Sequence, residues 1–206
     1  MKTKSLFTIV LALLMAVSAS GQGFHFGVKG GISGNWMPRT NINIDDTPVM
    51  NVGFYGGVTG TLFLSDMYFL QAEALYTRKG VSTNSDLSGK YTRNISYIQV
   101  PVFFGFAVGS DDALRFMVGP EFAFAVGNQV IQDAPLNPAG GSHYNPAPFN
   151  FGIGLQVSYF ITDGLAVDLR FDKGFTKTLK PAVSTTIEDK GTNLGVMLGV
   201  SYMFGN

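Results

Sequence analysis

Cysteine is absent from the 206 residues. That removes a disulfide framework, a thiol nucleophile and a thiolate metal site together. Charge is scarce as well. Asp, Glu, Lys and Arg make up 14% of the chain, against roughly a quarter in an average soluble protein. The 14 basic and 14 acidic residues cancel, so the chain lacks the basic footprint of a nucleic-acid binder. Its two histidines, His25 and His143, fall far apart in the pattern described below, which argues against a shared metal site. No P-loop, dinucleotide fingerprint, nucleophile elbow or zinc motif is present. No cofactor is expected. Beyond the amino-terminal segment, no run of 18 apolar residues predicts a membrane-spanning helix. What is abundant is glycine, 26 residues, and phenylalanine, 18 residues. So aromatic a chain is not disordered, and its glycines lack the three-residue period of collagen.

The first residues read as an address. Lys2 and Lys4 form a basic start, Leu6–Val17 is largely apolar, and Ser18, Ala19, Ser20 and Gly21 are small. This is the three-part pattern of a secretory signal peptide. Residues 1–21 are therefore expected to be removed, with cleavage after Gly21, or after Ala19 as the alternative. The apolar run is shorter than the ~20 residues a spanning helix needs. One domain is expected over 22–206.

In that domain hydrophobicity alternates with period 2, the signature of strands with one apolar face. In Phe24–Trp36, Phe24, Phe26, Val28, Ile32 and Trp36 share a face opposite His25, Lys29, Ser33 and Asn35. The pattern recurs over about 52–64, 68–79, 95–108, 113–126, 149–160, 165–174 and 192–204, which makes eight strands. The apolar face is expected to carry no charge in any strand. Lys29, Glu73, Arg115, Glu121, Asp168 and Arg170 all fall on the other face. Pro101 and Pro120 lie inside two strands, where a bulge or a locally lost hydrogen bond is expected.

Connections alternate in length. Ser65–Met67, Gly109–Asp112 and Ile161–Gly164 read as tight turns. About 37–51, 80–94, 127–148 and 175–191 read as long loops. Short turns at one end and long loops at the other, with an even strand number, predict an eight-stranded antiparallel up-and-down transmembrane β-barrel of the bacterial outer membrane. The alternative is a soluble barrel with its apolar face inside. Three features favour the membrane. The polar face is rich in glycine and small residues. It carries few charges, where a soluble exterior is about a quarter to a third charged. Aromatics cluster at both strand ends: Trp36, Tyr76 and Phe124 towards the loops, and Phe24, Tyr68, Phe106, Tyr159, Tyr202 and Phe204 towards the turns. Such belts mark the two membrane interfaces.

Several segments carry a family likeness. They are Phe26-Gly27-Val28-Lys29-Gly30-Gly31, Leu70-Gln71-Ala72-Glu73-Ala74-Leu75-Tyr76 continuing to Gly80, Tyr97-Ile98-Gln99-Val100-Pro101-Val102, and Val118-Gly119-Pro120. With these the chain resembles the PorT-like outer-membrane β-barrel domain family of Bacteroidetes. The ending Gly199-Val200-Ser201-Tyr202-Met203-Phe204 resembles the aromatic terminal signal read by the barrel-assembly machinery, with Tyr202 and Phe204 as its aromatic residues; Gly205 and Asn206 follow it here. The resemblance implies outer-membrane lipid and that machinery as partners, and leaves the role open.

The inward charges read first as an ion-pair network that fills the lumen, since an isolated buried ion is costly. An eight-stranded barrel is just wide enough for its own side chains. Glu73, Glu121, Asp168 and Arg170 are expected in a band near mid-height, and Arg115 is expected to pair with Glu121, Glu73 or Asp168. The leading expectation is a structural or interaction role, with an unknown extracellular or periplasmic protein partner and a plugged polar lumen. The second is an accessory of protein secretion or small-solute passage. The third is a lipid-modifying enzyme or protease, for which Ser142 and His143 with Asp45 and Asp46 are the best available constellation.

Overall fold

The computed structural model describes residues 23–36, 46–85, 89–109, 113–132, 144–176, 179–181 and 192–205. The amino-terminal segment expected to be a signal peptide lies outside the described residues, as do Asp45, Ser142 and His143.

Eight strands account for the wall: β1 (Phe24–Trp36), β2 (Asn51–Phe63), β3 (Tyr68–Ser85), β4 (Gly89–Val108), β5 (Leu114–Gln132), β6 (Phe149–Phe160), β7 (Leu165–Gly174) and β8 (Leu194–Phe204). Each is antiparallel to its chain neighbour, and β1 pairs with β8, so the sheet closes on itself. The closing ladder runs in one register from Phe26–Phe204 to Trp36–Leu194. Closure leaves no barrel edge unpaired, the condition for crossing lipid with strands.

Turn chemistry places the short end. At 64–67 the Leu64 and Ser65 amides donate to the Tyr68 carbonyl at 2.8 and 3.2 Å. The Tyr68 amide donates to Ser65 Oγ at 3.1 Å. At 161–164, the Leu165 amide donates to Thr162 Oγ1 at 3.1 Å in the same way. Gly109, which opens the third turn, has φ 108°, where a side chain would be strained.

The long end differs from the sequence expectation. β3, β4 and β5 run for 18, 20 and 19 residues, although about 9–11 suffice to cross a bilayer. Residues 80–94, expected to be mostly loop, are largely the continuation of the β3–β4 hairpin, paired without a slip from Leu75–Gln99 to Ser85–Gly89. A short strand, Asp46–Val49, adds to β3 at 82–85. Another pair, Tyr144–Pro146 with Leu179–Pro181, forms a separate two-stranded ladder. The polar sequence hid these extensions because a strand with water on both faces has no reason to alternate.

Both prolines are accommodated by gaps rather than by bulges. The β3–β4 ladder skips Glu73 and Ala74 opposite Val100 and Pro101, then resumes in register. The β4–β5 ladder skips Val102 and Phe103 opposite Gly119 and Pro120. The bulge lies higher, where Ser96 and Tyr97 face Gly127 and Ala125 and Val126 has no partner.

The apolar face is outside. Ile32, Val52, Leu155 and Val200 are each more than half exposed, while Thr77, Gln99, Asp168 and Arg170 are buried. Two aromatic rows flank the apolar band. Tyr68–Phe104, Phe106–Phe116 and Phe26–Phe204 stack towards the short turns. Phe54–Tyr76 and Phe124–Phe149 meet towards the long end. One correction applies: Arg78 and Lys173 share the parity of the apolar face. Arg78 is half-buried and Lys173 exposed, and each stands at the long end of the apolar band, where a charge reaches the polar interface.

The interior also holds apolar residues that the alternation hides. Phe69, Phe103, Ala107 and Met117 pack near the short turns, Tyr55, Leu75 and Met197 at mid-height, and Ile95 and Tyr97 above them.

Candidate functional site

The lumen side chains form three layers. In the central layer Lys29 (β1), Glu73 (β3), Asp168 and Arg170 (β7) meet around Gln156 (β6). Lys29 Nζ lies 3.0 Å from Glu73 Oε1 and 3.3 Å from Asp168 Oδ2. Arg170 Nη2 reaches Glu73 Oε2 at 2.5 Å. Gln156 Oε1 accepts from Lys29 Nζ at 3.1 Å and from Arg170 Nε at 2.8 Å, and also from Arg170 Nη2. Ser158 donates to Asp168 Oδ1 at 2.5 Å, and Gln71 to Glu73 Oε1 at 2.7 Å.

Local structure explains the arrangement. Gln156 and Ser158 are the direct cross-strand partners of Arg170 and Asp168, so the β6–β7 ladder presets half the layer. Lys29 and Glu73 complete it from across the barrel. Glycine makes the room: a β-carbon on Gly154 would sit 2.6 Å from Glu121 Oε1, and one on Gly195 would sit 2.6 Å from Asp172 Oδ1. Charges this deep tolerate burial only when paired and hydrogen-bonded.

Glu121 (β5) joins the upper side of this layer. Its Oε1 is 3.5 Å from Arg170 Nη1, and its Oε2 accepts from Gln99 at 2.9 Å. Higher still, Lys79 Nζ lies 2.8 Å from Asp172 Oδ2. Lys79 and Asp172 were not among the expected network residues, nor were Gln99 and Gln156. Their inward parity with Glu73, Asp168 and Arg170 was the available signal.

Arg115 sits apart from the band. No ion pair joins it to Glu121 among the described residues. Its guanidinium lies 4.0 Å from the centre of the Phe160 ring, 5.1 Å from Phe63 and 5.6 Å from Phe69, a cation held against aromatic faces. Being second in β5 places it at the short-turn mouth, one residue beyond Leu114. His25 lies at the same end, edge-on to Phe63 at 5.3 Å.

Little space remains. One cavity of about 20 Å³ lies around Arg115, Gln156 and Asp168, and one of about 40 Å³ lies above Glu121 and Asp172. Each suits only water-sized occupants. Among the described residues no three His, Asp or Glu side chains converge on a metal-ion position. Tyr202 and Phe204 face outwards on β8, ring against ring at 5.0 Å.

A closed eight-stranded barrel with a charged interior and an apolar, aromatic-belted exterior defines an outer-membrane β-barrel protein. The chain belongs to the outer membrane protein beta-barrel domain family, whose model matches residues 16–180. The protein therefore resides in the bacterial outer membrane, and barrels of this kind place their short turns towards the periplasm. The fold is similar to that of three solved barrels. OprG of Pseudomonas aeruginosa has a TM-score of 0.56 at 13% identity, over 89% of this chain and 97% of that one. Neisserial surface protein A has a TM-score of 0.53 at 13% identity, over 89% and 100%. Ail of Yersinia pestis, solved with the heparin analogue sucrose octasulfate, has a TM-score of 0.50 at 11% identity, over 89% and 100%. Identities this low show a shared fold. No curated protein gives a significant sequence match.

Proposed function

We propose that this is a closed, non-enzymatic outer-membrane barrel whose work is done on the extracellular side, by presenting its extended hairpins to a protein partner. One observation carries the reading: the lumen is filled at mid-height by Lys29, Glu73, Gln156, Asp168 and Arg170, with side chains of the charged four at most 2% exposed. A solute path would have to break this layer. The extended ends of β3, β4 and β5 add reach outside the bilayer, where an interaction surface is useful and a channel wall is not.

Within its family we place the chain with the PorT-like barrels, on the segments Phe26–Gly31, Leu70–Gly80 and Tyr97–Val102. Tyr202 and Phe204 are the residues we assign to recognition by the barrel-assembly machinery. The test of the closed-lumen reading is conductance. The full-length mature barrel, reconstituted in planar bilayers, should give no stepwise single-channel current. Steady unitary openings would overturn display in favour of small-solute passage.

A further inference from the structure

Charge is nearly absent from the outward positions of the wall. The two exceptions are Arg78 on β3 and Lys173 on β7, four places apart in a ring of eight strands and so on opposite sides of the barrel. Both are cations and both lie at the long end, and no Asp or Glu faces outwards along the described wall. Their surroundings match. Each follows two residues after an outward aromatic, Tyr76 or Phe171, at the limit of the apolar band. Arg78 is the cross-strand partner of Ser96. Ser96 Oγ accepts from the Tyr76 hydroxyl at 2.8 Å and so keeps its own proton to donate. Lys173 stands between Phe171 and Phe175, both more than half exposed. At the other end the sign is reversed: the three short turns carry Asp66, Asp111, Asp112 and Asp163 and no Lys or Arg.

We propose that Arg78 and Lys173 are two separate binding points for the phosphate groups of an anionic lipid of the outer leaflet, one lipid at each. Long basic side chains lay their stems on apolar surface and carry the charge to the level of the headgroups. There a phosphate meets the cation in a medium drier than bulk water, where their attraction is stronger. The Arg78 guanidinium fork matches two phosphate oxygens, and the Ser96 hydroxyl adds a donor beside it. Lys173 offers a point charge, with Phe171 and Phe175 as apolar surface for the acyl chains. The acidic short turns repel the same lipid, so the choice of leaflet follows from the chain's own charges. Barrels of this kind keep their short turns in the periplasm, which puts both cations in the outer leaflet. The inference is independent of what the hairpins bind.

The probe is lipid A bearing two phosphomonoesters, as a minor component of phosphatidylcholine vesicles that hold the full-length mature barrel. In solid-state NMR, dephasing from the phosphomonoester ³¹P resonance should reach Arg78 Cζ and Lys173 Cε and leave the buried Arg170 Cζ untouched. Native mass spectrometry of the gently extracted barrel should show up to two retained lipid A molecules. Arg78→Gln and Lys173→Gln should each remove one of them, and each should weaken retention at its own point about fivefold, the equivalent of about 1 kcal/mol for one basic residue at an anionic surface. Retention unchanged in the double variant overturns the proposal, because the two cations then only reach water. Equal retention of dephosphorylated lipid A overturns it too, because acyl contacts then hold the lipid. Displacement of the lipid by inorganic phosphate would overturn the lipid as occupant in favour of a free anion. If a variant does not fold, the wild-type dephasing and the comparison with dephosphorylated lipid A decide alone.

Discussion

Arg170 brings a full charge to a position where its side chain is 2% exposed, and it holds that position through Glu73, Gln156 and, at 4.8 Å, the face of Phe103. Removing one member of such a set leaves its partner charged, buried and unpaired, at a cost of about 3–5 kcal/mol. Removing both with shape retained costs far less. Arg170→Met and Glu73→Gln should therefore each destabilise strongly, and the double variant should fall well short of their sum. Arg115→Met and Glu121→Gln belong to different layers, and their effects should add to within about 0.5 kcal/mol. Urea unfolding in lipid vesicles reads both cycles. Additivity for Arg170 and Glu73 would mean that the layer is hydrated rather than coupled. The charges that face inwards were legible in the sequence, because a period of 2 leaves no freedom of side. Who meets whom was not. Partners across the lumen are set by strand tilt and stagger, which no single strand encodes. That is why Arg115 reads plausibly against Glu121 in sequence, yet sits against Phe160.

At the scale of the element, the apolar band fixed the strands and the polar extensions escaped. Five of the eight strands lie within about two residues of their expected bounds at both ends. The other three, β3, β4 and β5, overshoot at the long end, where water replaces lipid and alternation ceases to be enforced. Pro101 and Pro120 show a related limit. The sequence announces a lost amide hydrogen, but only the paired strand shows that the register is kept and two rungs are skipped on each side of β4. Depth along a strand should be readable in energy. Leu155 lies midway along β6, outward and 55% exposed, so Leu155→Arg should cost about 2–4 kcal/mol of barrel stability. Val196, third in β8 and level with Gly34 near the outer end, should cost less. Refolding yields and urea midpoints in vesicles separate the two. Equal tolerance of both would contradict the assignment of this face to lipid.

For the whole molecule, closure turns local rules into one constraint. An unpaired edge would expose backbone amides to lipid, and a wider ring would leave the lumen charges in water. Closure at eight strands allows neither. The polar side chains then have to solve their own solvation, which they do by layering: an aromatic–arginine cluster at the periplasmic mouth, an ion-pair layer at mid-height, and a carboxylate cavity beneath the hairpins. A middle layer filled by paired side chains should be dry. Water-edited solid-state NMR of the full-length barrel in lipid bilayers tests this without substitution. Polarisation from water should reach Thr176 and Asn193 at the rim quickly. It should reach Glu73, Gln156, Asp168 and Arg170 slowly, close to the rate at the lipid-facing Leu155. Fast and uniform transfer to all the inward side chains would show a water-filled lumen and contradict the account.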